Sequence, residues 1–120
     1  MNRYFFDTYA IFEIINGNKN YISYAEQDGV TTIFNIVELS YGLKRKKSKE
    51  EANNIISLYK KRTIKLKWED ITNATDLKLK YKKLSISDAI GYTVAKRLNI
   101  PFLTGDEDFK NFDNVEFIKK

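Results

Sequence analysis

Short apolar runs alternate with longer amphipathic stretches along this chain, and the alternation sets its predicted elements. "YFF" at residues 4–6 is too short for a helix and stands directly before Asp7 and Thr8. It reads as a strand. "YAIFEII" after it reads as a helix, closed by the turn residues of "NGN" at 16–18. Residues 19–28 suggest a second short helix. "VTTIFN" at 30–35 is β-branched and aromatic, which predicts a strand, with Asn35 as the cap of the next helix. In "IVELSYGLKRKK", Ile36, Leu39, Tyr41 and Leu43 supply apolar contacts. The basic run Lys44–Lys47 suits a helix C-terminus, where cations meet the negative end of the helix dipole.

Ser48 followed three positions later by Glu51 is a capping-box pattern opening a helix through Lys61. "TIKLKW" alternates as a short strand, and residues 69–82 look helical. "LSISDAIGYTVAKRLNI" repeats the Ser-x-x-acid pattern with Ser85 and Asp88 and runs helical to about Leu98. "IPFLT" and the closing "VEFIK" read as strands. Strands alternating with helices imply an α/β domain with a mainly parallel sheet covered on both faces. In such sheets ligands gather at the carboxyl ends of the strands. One proline, no linker-like segment and no internal repeat make residues 1–120 a single domain.

Composition narrows the chemistry. Apolar residues form 42% of the chain and charged residues 31%, a globular profile. No apolar run approaches the roughly 20 residues that cross a bilayer. The N-terminus has none of the features of a signal peptide, so a cytoplasmic location is expected. There is no cysteine and no histidine. Thiolate zinc sites, Ser-His-Asp and Cys-His catalysis and histidine-ligated metals are therefore excluded. The net charge of +5 favours an anionic partner such as nucleic acid.

The acids then stand out by position. Asp7 follows the first strand directly, and Asp106 follows "IPFLT" after one glycine. Asp88 is the third residue of its helix if Ser85 is the cap, and Glu38 lies in the first turn after the second strand. A parallel sheet turns all four toward one edge. Like charges about 4 Å apart repel by roughly 1 to 4 kcal/mol, depending on local dielectric, and a divalent cation removes that conflict. With only oxygen ligands to offer, Mg²⁺ or Mn²⁺ is the natural choice. Each acid also has a plainer role. Asp88 and Asp7 suit helix caps, Glu38 suits a solvated face, and Asp108 suits the cap of a short final turn.

With these residues in view, the chain resembles the PIN domain family, most closely its VapC-type single-domain members. The matching segments are "YFFDTYAIFEI", "NIVELSYGL", "LSISDAIGYTVAKRLNIPFLTGDEDF" and "NVEFIK". They span essentially the whole chain, and the block from Leu84 to Phe109 is the most specific. The resemblance implies a three-layer α/β/α fold with a twisted parallel sheet of four or five strands. It also implies an endoribonuclease dependent on Mg²⁺ or Mn²⁺ that leaves a 5′-phosphate and a 3′-hydroxyl. The family's acidic quartet falls on Asp7, Glu38, Asp88 and Asp106. Thr104 matches a supporting hydroxyl, Asp108 a frequent extra acid, and Thr8 is a further supporting residue. The implied partners are RNA, a small VapB-like antitoxin whose basic residue plugs the cleft, and a second copy of the chain. Stand-alone RNA processing and a weakly active partner-binding scaffold are the alternatives.

Basic groups that could hold an RNA backbone fall in three places, Lys44–Lys47, Lys60–Arg62, and Lys78, Lys80, Lys82 and Lys83, each of which also reads as a solvated face. Tyr9, Phe12 and Tyr41 are candidates for stacking bases, with core packing the simpler role for Phe12. A phosphoacceptor receiver domain, also α/β with an acidic pocket, fits poorly, because only Asp7 follows the first strand.

Overall fold

The computed structural model describes residues 2–120. Four strands form one sheet in the order β2-β1-β3-β4, and every pairing is parallel. The strands are β1 (Arg3–Phe6), β2 (Asp28–Val30), β3 (Phe102–Thr104) and β4 (Val115–Phe117). Among the described residues five α-helices cover them: α1 (Thr8–Ile15), α2 (Ile33–Lys46), α3 (Lys49–Lys60), α4 (Trp68–Lys80) and α5 (Ile86–Leu98).

Strand alternation divides the core in two. Phe5 and Phe102 pack on one face with Leu84, Ala89, Val94 and Ala95, against α4 and α5. Phe6 and Leu103 pack on the other with Ala10, Ile11, Leu39, Leu43 and Ala52, against α1, α2 and α3. Successive residues of a strand point to opposite faces, so two adjacent apolar residues serve two helical layers. The result is the expected three-layer α/β/α fold. Gly91 lets α5 lie directly on the sheet, since a Cβ there would meet the rings of Phe5 and Phe102.

Three expected elements differ. The strand expected over 30–35 is β2, ending at Val30, and α2 begins at Ile33. Thr32, not Asn35, is the helix cap. Its hydroxyl accepts the Asn35 N–H at 3.4 Å, which places Asn35 buried in the first helical turn. "TIKLKW" forms no strand; it contributes one parallel bridge, Thr63 to Thr31. Thr31 N–H donates to Arg62 O, and Ile64 N–H donates to Thr31 O. The next residue, Thr32, already enters α2, so no ladder remains to extend. Ile64 and Leu66 still pack against the α4–α5 core. Within 19–28 the helical part is a 3₁₀ turn, Ile22–Glu26.

The strand order reverses beside β1. The chain passes from β1 outward to β2, then returns through four helices to β3 on the other side. Such a reversal marks the carboxyl ends of β1 and β3 as the crevice position where sheets of this kind bind ligands.

Candidate active site

Asp7 and Thr104 sit side by side at that crevice. Phe6 pairs with Leu103, and the Asp7 N–H donates to Leu103 O at 3.1 Å, so the next residue of each strand falls at the sheet edge. Asp7 is 2% exposed. It caps α1 by accepting the Thr8 N–H on Oδ1 at 2.9 Å, and it accepts the Thr104 hydroxyl on Oδ2 at 2.7 Å. Thr104 Oγ1 in turn accepts the Asp106 backbone N–H at 3.1 Å. One buried hydroxyl thus ties Asp7 to the loop that carries Asp106.

Asp106, not Asp108, caps the 3₁₀ turn Glu107–Phe109, accepting the Asp108 N–H at 2.9 Å. The three acids of "GDED" separate by their partners. Glu107 pairs with Lys119 at 2.9 Å and Asp108 with Lys83 at 3.5 Å. No lysine or arginine among the described residues pairs with Asp106. Gly105 is needed for close approach, not for a left-handed turn, because its φ is not positive. A Cβ there would run into the Ile118 carbonyl and the Tyr9 ring.

Asp88 and Glu38 approach from the helices. Asp88 completes a capping box with Ser85: the Ser85 N–H donates to Asp88 Oδ2 at 3.0 Å, and the Asp88 N–H donates to Ser85 Oγ at 3.1 Å. Glu38 is exposed on α2 and accepts the Ser87 hydroxyl at 3.0 Å. Ser87, which sequence reasoning missed, therefore links α5 to α2 across the site. Its only signal was the hydroxyl spacing of "SIS". Thr8 gives its N–H to Asp7, but its hydroxyl pairs with Asn35 of α2, accepting the side-chain amide at 3.1 Å. Asn35 thus joins the α1 and α2 starts.

Two of the four acids, Asp7 and Asp88, are perturbed by their surroundings. Burial, then the charges of Asp88 and Glu38, hold the Asp7 carboxyl well above the usual carboxylate range, against the opposing bonds from Thr104 and Thr8. Burial pushes Asp88 up to about 6, with Asp106 and Glu38 adding to the rise against its bonds to Ser85. Uncompensated burial of like charges raises carboxylate pKa values in this way, and such clusters mark functional sites. Among the described residues, no group of three or more acids stands in metal-holding geometry. The donor set is nonetheless all oxygen, partly buried and without a cation, which suits a hard divalent ion.

Fold and site together define an α/β domain with an acidic cleft at the switch point of a parallel sheet. The chain belongs to the PIN domain family, which matches residues 4–115. No curated protein sequence matches the chain. Among solved structures, it is similar to a chain of a toxin–antitoxin complex from Klebsiella pneumoniae, with a TM-score of 0.76 and 18% identity, covering 97% of this chain and 98% of that one. It is also similar to a chain of VapBC2 from Rickettsia felis bound to a DNA fragment from its promoter, with a TM-score of 0.72, 16% identity and 98% of both chains covered. A chain of VapBC-1 from nontypeable Haemophilus influenzae gives a TM-score of 0.71 and 17% identity, covering 98% of this chain and 97% of that one. At these identities the likeness concerns the fold.

Proposed function

We propose that this protein is a Mg²⁺- or Mn²⁺-dependent endoribonuclease, acting in the cytoplasm as the toxin of a VapBC-type pair. The carrying observation is the cluster itself: Asp7, buried at the switch point, within electrostatic reach of Glu38 and Asp88, with Asp106 acting on Asp88 in turn. Asp7 and Asp106 are the residues assigned as direct ligands, and Glu38 and Asp88 complete the set. A bound cation supplies easier ionisation of water and offsets charge on the scissile phosphate. The chain's own residues hold the arrangement. Thr104 fixes the Asp7 carboxylate and the Asp106 loop, the Ser85 N–H fixes Asp88, and Ser87 fixes Glu38. Asp108, tethered to Lys83, stands at the rim. With one or more carboxylates ionised, the set can also accept a proton from water.

The test is RNA cleavage by purified Asp7→Asn and Asp106→Asn proteins in Mg²⁺ or Mn²⁺. Asn keeps both caps but removes the charge, so folding persists and cleavage is expected to fall by at least 100-fold. Cleavage at the parent rate by either variant refutes its assignment.

The toxin reading has its own support. The outer face of α2 exposes Ile33 (62%), Phe34 (40%) and Val37 (65%) beside Glu38. Phe34 also lines an apolar cavity of about 170 Å³ with Ile71, Ala74, Ile86, Ala89 and Ile90. An exposed apolar strip next to an acidic cleft fits an amphipathic antitoxin segment carrying a cation. A second copy of the chain is the other proposed partner. Growth arrest on expression, relieved by the small protein encoded beside it, supports a toxin. Cleavage without growth arrest supports stand-alone RNA processing instead.

A further inference from the structure

The acidic cleft has a neighbour of opposite character. A cleft of about 340 Å³ between α1 and α2 is lined by Tyr9, Glu38, Tyr41, Arg45, Lys46 and Lys120. It joins the acid cluster at two points. Glu38 lies in its wall and reaches Ser87 on the acidic side. The Tyr9 ring lies in its wall and against Gly105, next to Asp106. Its remaining acid, Glu13, is occupied by the Asn18 side-chain amide at 2.8 Å. Gly42 shapes the floor, since a Cβ there would strike the Phe12 ring.

Tyr41 is 68% exposed, and the Arg45 guanidinium lies 5.1 Å from its ring centroid, one helical turn along α2. No carboxylate among the described residues pairs with Arg45 or Lys46. Arg45 covers one face of the ring, so the exposed remainder of Tyr41 offers stacking to a base while Arg45 and Lys46, without carboxylate partners, offer pairing to phosphates. A carboxylate-rich peptide could use the cations but has no flat ring for Tyr41.

We propose that this cleft is a nucleotide subsite. One base of single-stranded RNA stacks on Tyr41, while neighbouring phosphates pair with Arg45 and Lys46. The strand then continues past Glu38 and Tyr9 to the acids. The inference rests on the ribonuclease reading and deepens it. Of the three basic runs in the sequence, it selects the one on α2. Lys78 is instead committed to the backbone, donating to Leu84 O at 2.6 Å.

The test measures binding of a fluorescent short oligouridylate by anisotropy over a range of salt, using the Asp7→Asn protein so that the probe stays intact. Tyr41→Ala should weaken binding roughly 5- to 100-fold, while Tyr41→Phe retains it. The Arg45→Ala/Lys46→Ala pair should lower the slope of log affinity against log salt by about 1.4, at about 0.7 per phosphate. Lys60→Ala/Lys61→Ala, at the far end of α3, should change neither. Binding indifferent to Tyr41, Arg45 and Lys46 overturns the subsite, as does a polyglutamate peptide binding as tightly as the RNA. Cleavage by the parent protein is measured in parallel. Metal-dependent cleavage with cleft-indifferent binding sinks the subsite alone. Cleft-dependent binding without any cleavage sinks the nuclease reading and leaves the subsite standing.

Discussion

Replacing Asp88 by Asn separates a ligand from a helix cap by the sign of its effect. Asp88 accepts the Ser85 N–H at 3.0 Å, and an Asn carbonyl can accept the same bond. If capping were its whole role, the lost charge at a helix N-terminus would cost about 0.5–1 kcal/mol. The geometry argues the reverse. Burial, Asp106 and Glu38 raise the carboxyl from its ordinary 3.8 to about 6. Keeping it ionised at neutral pH therefore costs at most about 3 kcal/mol, at 1.36 kcal/mol per tenfold, and solvent at the rim lowers this to about 1–2 kcal/mol. The unfolded chain loses this proton first, so the folded parent loses stability as pH rises from about 4 to about 6 and then levels. Asp88→Asn lacks that loss. In EDTA at pH 7 the variant should melt roughly 4–8 °C above the parent, with the gap closing near pH 4. Saturating Mg²⁺ should raise the parent's melting temperature at pH 7 more than the variant's. RNA cleavage by the variant should fall. Thermal melts between pH 4 and 8 in EDTA decide the matter. A variant less stable than the parent at pH 7, or a gap that ignores pH, refutes the repulsion argument.

Further outcomes follow from single contacts. Thr104→Val removes the bond to Asp7 and the acceptor for the Asp106 N–H, so metal affinity by calorimetry should drop about 10- to 100-fold in a folded protein. Arg97 makes two 2.8 Å bonds to Asp70 in the wall of a surface cavity; Arg97→Met removes both while Asp70 keeps its bond from the Lys67 N–H, and should cost about 1–3 kcal/mol in urea unfolding. Gly42→Ala drives a methyl toward the tip of the Phe12 ring, a strain of about 1–3 kcal/mol that the roughly 1 kcal/mol helix preference of Ala over Gly partly offsets, so the same assay should show a net loss of about 0–2 kcal/mol.

The parallel sheet and its helices were legible because their signals are local: paired apolar residues such as Phe5–Phe6, and Ser-x-x-acid caps at Ser48 and Ser85. The misread stretches are those where distant partners decide. "VTTIFN" has strand composition, yet the Thr32 hydroxyl turns it into a helix after β2. "TIKLKW" alternates like a strand, yet only Thr31 offers it a partner. Asp7 and the loop carrying Asp106 could be placed by position, since a residue following a parallel strand must reach one edge. What supports them could not. Ser87 on Glu38, Asn35 on Thr8 and Lys83 on Asp108 are contacts across 49, 27 and 25 positions.

Charge pairing also explains why three consecutive acids at 106–108 are not equivalent. The chain carries 21 lysines and arginines against 16 acids, so a cation is available to most exposed carboxylates. Glu107 and Asp108 take theirs from Lys119 and Lys83. Asp106 has no such partner among the described residues; its side chain accepts the Asp108 N–H and its backbone N–H donates to the Thr104 hydroxyl. In a basic protein, an acid left without a lysine partner leaves its charge acting on Asp88, a repulsion that pairing would remove. Such local strain persists where function needs it. Placing a lysine there tests this: Glu38→Lys would put a cation among Asp7 and Asp88 and lower both of their raised pKa values. The metal-free protein should melt higher at pH 7 and lose its response to Mg²⁺. Unchanged melting would mean that Glu38 faces solvent and takes no part in the cluster.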